Sequence, residues 1–219
     1  AKDCNHLSYG MVYLPEGKMK SREGKIVDAD DLIAELKKLA GAEIRERDRE
    51  NRLSQTEISR RSEKIGVGAI KFYLLRVRPT QSINFDPAES ISFDGFTGPY
   101  CQYAYARIFG ILEKSGKKEV DLNACDFSVL GNPEELHLLQ KLIQFPQEIQ
   151  GAVQEHNPSK IAVHTFNTAK AFNQFYNKHP VLRAGNDKLI AARLALIKAV
   201  AVVLKKGLNL LGIDVLENM

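Results

Sequence analysis

The chain has 219 residues, 44% of them hydrophobic, with 31 Lys+Arg against 27 Asp+Glu and a formal net charge of +4. That is enough apolar material for one large domain or one and a half ordinary ones, and the small positive excess excludes a histone-like or polybasic-tail protein while leaving room for a basic face that meets RNA. Cys4, Cys101 and Cys125 are far apart with no His at ligand spacing, which argues against zinc or a disulfide framework and fits a reducing cytoplasm, and the longest apolar run, residues 189–204, is broken by Arg193 and Lys198 and too short to span a bilayer.

Ala1-Lys2-Asp3-Cys4 has no initiator Met and runs directly into an apolar segment, so the chain is expected to be the back part of a larger protein. Residues 7–14, with Tyr9, Val12 and Tyr13 closed by Pro15, predict a buried strand. It leads into Gly17-Lys18-Met19-Lys20-Ser21-Arg22-Glu23-Gly24, where three cations and a hydroxyl lie between glycines. Such a loop suits phosphate, since Lys and Arg supply charge and N–H donors and glycine lets the backbone fold over a ligand. A solvated turn would have the same composition. The loop is neither a Walker A sequence nor a dinucleotide-binding glycine turn.

Residues 28–40 predict an amphipathic helix, with Asp28, Asp30 and Asp31 at its positive end, Leu32, Ile33, Leu36 and Leu39 on one face, and Gly41 as its stop. Balanced charges over residues 42–64 predict a solvated helix laced with i to i+4 pairs and a loop at residues 51–55. Residues 65–78 turn apolar, a buried helix ended by Pro79. The Gly, Pro and Asp punctuation from residue 84 to 99 marks a connector. Beyond it, residues 100–113, 133–145, 146–155, 159–176 and 187–211 give five predicted helices. Pro99 after Gly98 is helix-entry chemistry, and Tyr100, Tyr103 and Tyr105 cannot all share one face of the helix that follows.

Residues 98–107, Gly-Pro-Tyr-Cys-Gln-Tyr-Ala-Tyr-Ala-Arg, resemble the entry to the anticodon-binding domain of arginyl-tRNA synthetases. Three other segments agree in order: Ser8-Tyr9-Gly10-Met11-Val12 with the basic loop, Gly66-Val67-Gly68-Ala69-Ile70-Lys71-Phe72, and the ending from Ala192 through Gly212-Ile213 to Met219. The resemblance implies a mainly α chain, in which the remnant of an α/β Rossmann-like catalytic domain (residues 1–82) and a connector (83–98) precede an all-α anticodon-binding helical bundle (99–219).

It further implies the C-terminal part of an arginine–tRNA ligase, which joins L-arginine to its tRNA through arginyl-adenylate, using ATP with Mg2+ and no prosthetic group, in the cytoplasm and as a monomer when full length. The class I loop Lys-Met-Ser-Lys-Ser reads here Lys-Met-Lys-Ser-Arg, which makes Lys18, Lys20, Ser21 and Arg22 the candidates for catalysis at the ATP phosphates, with either Lys20 or Arg22 in place of the second consensus lysine. Tyr176 and Met219 are the implied anticodon-loop contacts; Arg107 and Arg193 are candidate phosphate contacts on chemical grounds, the alternative for an arginine on an amphipathic helix being a surface or inter-helix residue. Tyr100 and Gln102 are expected to fix the junction of the two domains, and His137, His164 and His179 to be structural or solvent-facing. With the family's His-Ile-Gly-His segment upstream, the chain alone is expected not to form the adenylate. A cysteinyl-type class I synthetase and a non-catalytic helical module binding RNA or protein are the alternatives.

Overall fold

The computed structural model describes residues 4, 6–14, 17–18, 28–48, 53–116 and 125–219, with backbone only at 17–18. Strand β1 (Val12–Leu14) pairs antiparallel with β2 (Gly17–Lys18) and parallel with β3 (Ile83–Asn84), so the sheet order is β2-β1-β3. Between β2 and β3 stand two long helices, α1 (Ala29–Arg47) and α2 (Gln55–Leu75), packed against each other. After the short α3 (Pro87–Ser90) come α4 (Gly98–Lys114), a 3-10 turn (Phe127–Val129), α5 (Pro133–Gln154), α6 (Ser159–Lys178) and α7 (Asp187–Leu210).

The helices start where the sequence supplies acceptors for their free N–H groups: Asp28, Ser54, Thr97 and Asn186 each accept from a backbone N–H within the next three residues. Leu36, Ile65, Phe72, Ile108, Phe172, Phe175, Ile197 and Leu204 are fully enclosed. Leu32, Leu36, Tyr73 and Phe85 form a small core beside the sheet, whereas Phe72 of α2 belongs to the large core built by α4, α5, α6 and α7. The α2 helix therefore joins both cores. Its crossing with α4 depends on two glycines: a Cβ at Gly98 would lie 2.7 Å from the Gly68 carbonyl oxygen, and a Cβ at Gly68 would lie 2.8 Å from the Gln102 amide. Neither position has room for a side chain.

Three predicted elements differ. Residues 7–14 pair as a strand only from Val12, and Leu7, Tyr9 and Met11 are exposed, because among the described residues only two short strands lie beside this segment. Gly41 does not end α1. It is buried against Ser62 of α2, and the helix runs six residues further to Arg47, so tertiary contact outweighs its weak propensity. Pro146 lies inside one continuous α5 rather than between two helices. It is exposed while Phe145 beside it is buried, so the helix forfeits one backbone hydrogen bond on its wet side and keeps its apolar face on the core. Of the charge-laced segment, residues 42–47 continue α1 and residues 55–64 open α2, while residues 51–52 of the expected loop lie outside the described residues; Glu57 is held by both Arg60 and Arg61 at 2.7–2.9 Å and its carboxyl lowered to about 2 by those hydrogen bonds.

Candidate nucleic-acid interface

The first turns of α4 carry the three tyrosines to three environments. Thr97 accepts from the Tyr100 N–H at 3.3 Å and, with Pro99, sets the helix phase. Tyr105 then faces the core, and Tyr100 rests on Phe166 with ring centroids 5.2 Å apart. Tyr103 lies on the remaining face, where Arg107, one turn later, donates from Nη2 to its hydroxyl at 3.1 Å. The same guanidinium donates from Nη1 to Asn173 Oδ1 at 2.9 Å and stands 5.4 Å from the ring centre of Tyr176. Asn173 and Tyr176 are three residues apart on α6, hence on one face of it. Tyr176 is 38% exposed and is backed by Phe172 in a near-parallel stack at 5.9 Å.

On the other side of Tyr103, the chain after α7 brings Met219 into a cleft of 250 Å3 that it lines with Tyr103, Phe93, Leu53 and Arg47. The Arg47 guanidinium lies 4.1 Å over the Phe93 ring, and Phe93 meets Tyr103 edge-on at 6.1 Å. The tail reaches this place because Ile213 and Leu216 are buried and Lys71 Nζ donates to the Gly212 carbonyl at 2.6 Å. Arg47, Met219, Tyr103, Arg107 and Tyr176 thus form one strip, in which Arg107 is held by rings and an amide, while Arg47 lies over Phe93 and pairs with Glu43 at 3.4 Å. Arg107 has no carboxylate partner among the described residues, so its charge is not cancelled locally. Aromatic faces offer stacking to any base, and the guanidinium keeps donors and charge for phosphate.

Arg193, a candidate phosphate contact, is turned inward, the inter-helix alternative. It is buried on α7, with Nε 2.7 Å from Glu135 Oε1 and Nη1 donating to the Pro180 carbonyl at 2.8 Å. Glu135 in turn accepts from the Asn132 backbone N–H at 2.9 Å. Burial would push this carboxyl up, but the Asn132 and Arg193 bonds outweigh it and hold the group below its ordinary value. Arg193 is a bundle cation, closed to solvent. Nearby, Glu134 accepts from Lys178 and pairs with His179 at 3.0 Å, which lowers it to about 2. Of the basic loop, the backbone of Lys18 forms β2 opposite Tyr13, and Lys20, Ser21 and Arg22 lie outside the described residues.

A model for the DALR anticodon binding domain matches residues 101–219, and one for the catalytic domain of class I (R) tRNA synthetases matches residues 1–86. The chain belongs to the arginyl-tRNA synthetase family. The arginine–tRNA ligase of Treponema denticola is 41% identical over 223 residues, covering all of this chain and 38% of the relative. That of Flavobacterium psychrophilum is 41% identical over 220 residues and is matched over 36% of its length. The chain therefore spans a little over a third of the curated relatives it matches. Thermus thermophilus arginyl-tRNA synthetase superposes with a TM-score of 0.87 at 31% identity, over 98% of this chain and 35% of that one.

For this synthetase-family chain, the structure adds Tyr103, Asn173, Phe93 and Arg47 to the residues found from sequence. The Tyr103 to Arg107 spacing of four was visible as a one-turn pair on a helix entry. Phe93 and Arg47 meet across 46 positions and had no local signal. Among the described residues no group of His, Cys, Asp and Glu is arranged to hold a metal ion, and no helix is long and apolar enough to cross a membrane.

Proposed function

We propose that this chain supplies anticodon-loop binding to an arginine–tRNA ligase, through the strip formed by Tyr103, Arg107, Tyr176 and Met219. The observation that carries the reading is the half-exposed Tyr176 ring beside an Arg107 guanidinium that no carboxylate among the described residues neutralises. An unstacked anticodon base lies against Tyr176 or the Met219 thioether, and Arg107 faces the adjoining phosphates. The division at residues 83–98 leaves this strip on the helical unit, with Arg47 reaching it from the catalytic side.

In the same proposal, Lys18, Lys20, Ser21 and Arg22 hold the phosphates of ATP while arginine is activated, the role that cations beside a developing pyrophosphate perform by charge stabilisation. In this reading Mg2+ accompanies ATP as the counter-ion of its phosphates. The family's use of ATP, arginine and its tRNA supports this assignment, and the reading takes the enzyme to be a cytoplasmic monomer.

The test is binding of the chain to the tRNA for arginine and to a tRNA of another specificity, titrated across salt, with Tyr176→Ala in parallel. A preference for the arginine tRNA that disappears with Tyr176→Ala is the expected result. Equal and equally salt-steep binding of both tRNAs would leave only a basic surface attracting phosphate and would overturn anticodon reading.

A further inference from the structure

Gln102 is completely enclosed on α4, yet it serves neither of the aromatic clusters on either side of it. Both hydrogens of its side-chain amide are committed to carbonyls of segments far away in sequence. Nε2 donates to the Lys64 carbonyl at 3.2 Å and to the Asp214 carbonyl at 2.8 Å. Lys64 lies in the middle of α2, and its carbonyl is shared with the helix ladder. Asp214 lies in the tail after α7, where no regular secondary structure forms to satisfy the backbone. The carbonyl oxygen of the amide, Oε1, is buried without a hydrogen-bond partner. A buried acceptor left empty costs free energy, and a leucine or methionine would fill the space without that cost. The position keeps an amide although only the donor half of it is used, and what the donor half holds is the tail.

Two cations assist from the other side of the tail. Lys71 donates to the Gly212 carbonyl at 2.6 Å, and Lys64 Nζ is 3.1 Å from Asp214 Oδ2. Both lysines are on α2, so residues 212–214 are fastened between α2 and α4 just where Gly68 and Gly98 bring those helices together. Five residues further on, Met219 enters the cleft beside Tyr103 and Arg47. Gln102 is one residue from Tyr103, and the two point to opposite tasks: Tyr103 to the strip, Gln102 to the segment that delivers Met219 to it.

We infer that Gln102 is a positioning residue for tRNA recognition: its amide locks residues 212–214 to α2 and so holds Met219 in the aromatic-basic strip. This inference rests on the anticodon-binding reading above and adds the element that keeps its tail-borne contact in register. Its role is distinct from a general contribution to packing, because it acts through Met219 alone among the contacts in the strip.

The test joins hydrogen exchange to a double-mutant cycle. Gln102→Met, which fills the site and removes both donors, is expected to speed amide exchange over residues 212–218 while leaving α4, α6 and α7 protected. Binding of the tRNA for arginine is expected to weaken by about tenfold, the effect of losing two buried hydrogen bonds that fix one contact. Met219→Ala should weaken binding in the parent chain and add nothing in the Gln102→Met background, while Tyr176→Ala should cost the same in both. Fully additive losses for Gln102→Met and Met219→Ala, or unchanged tail exchange, overturn the inference. If Met219→Ala and Tyr176→Ala both leave tRNA binding untouched in the parent chain, the anticodon reading fails, and exchange of the tail alone then decides whether Gln102 positions it. Gln102→Asn, which keeps an amide too short to reach both carbonyls, carries the same measurements if Gln102→Met does not fold.

Discussion

Arg193 and Arg107 stand on packed helices of one bundle, and the difference between them lies entirely in their surroundings. Around Arg193, the start of α5, the end of α6 and the first turns of α7 close over a carboxylate and a carbonyl, and both Arg193 and Lys178 meet a carboxylate. Around Arg107, α4 and α6 offer a phenol, an amide and the face of a second phenol, and the charge is left uncancelled. A buried pair consumes its own electrostatic energy in compensating for desolvation. A cation held by rings and amides is oriented without being neutralised, so it can still act on a ligand. Placement of the carboxylates, more than placement of the arginines, separates the two sites, which both border the C-terminal end of α6.

The largest effect should come from breaking the closed site. Arg193→Met leaves Glu135 buried and unpaired and is expected to cost about 3–5 kcal/mol of unfolding free energy in a urea titration. Adding Glu135→Leu should restore all but about 1 kcal/mol, the share of the Asn132 cap that Glu135 also serves. The folded fraction of both variants should bind tRNA as the parent does; weaker binding by a fully stable Arg193→Met would dissolve the contrast between the two arginines. At the open site the expected order is reversed. Tyr176→Ala should weaken tRNA binding by about 1–3 kcal/mol, the range for one base stacked on an aromatic ring, with little change in the melting temperature, and Tyr176→Phe should restore it. A smaller effect is expected from Arg107→Gln, which should reduce the slope of log affinity against log salt by about 1. Arg107→Lys should keep the slope and still bind more weakly, because an ammonium lacks the planar fork that lets the guanidinium donate to Tyr103 and Asn173 from two nitrogens.

How far these two sites could be read from the sequence depended on the reach of each contact. Arg107 and Tyr103 are four apart on one helix, so their alignment is a local consequence of helical pitch and could be read from the motif at residues 98–107. Arg193 pairs with a glutamate 58 positions away, and nothing within its own helix distinguishes it from a surface arginine. The same rule accounts for the helices. Their starts were legible because caps are local, but Gly41 and Pro146 were misread as breaks: whether a helix survives such residues depends on which face packs against which neighbour. The exposed segment before Val12 looked like a buried strand because apolar alternation reports a preference for burial, not the presence of a partner.

The last and smallest test concerns His164, on the face of α6 that meets α5 and so on the closed side of the comparison. The imidazole is buried and stacks on Phe145 at 5.6 Å, and its Nε2 has no hydrogen-bond partner. Burial pushes its pKa below the ordinary 6.5, with Glu148 favouring the charged ring, Lys141 opposing it, and a hydrogen bond to the Lys141 backbone favouring it. The folded ring therefore stays neutral at a pH where the unfolded chain already takes up a proton. Because the folded value is the lower one, the stability it contributes is fully present above pH 6.5 and is lost as pH falls through that value. Thermal melts at pH 8 and pH 5.5 should show the parent chain losing more stability than His164→Phe, which keeps the ring contact and cannot titrate. Over the same window, the ratio of tRNA affinities between the two should stay constant. A ratio that changed with pH would mean that the packed face of α6 and the face carrying Tyr176 are coupled, and the division between the two faces would have to be redrawn along the helix.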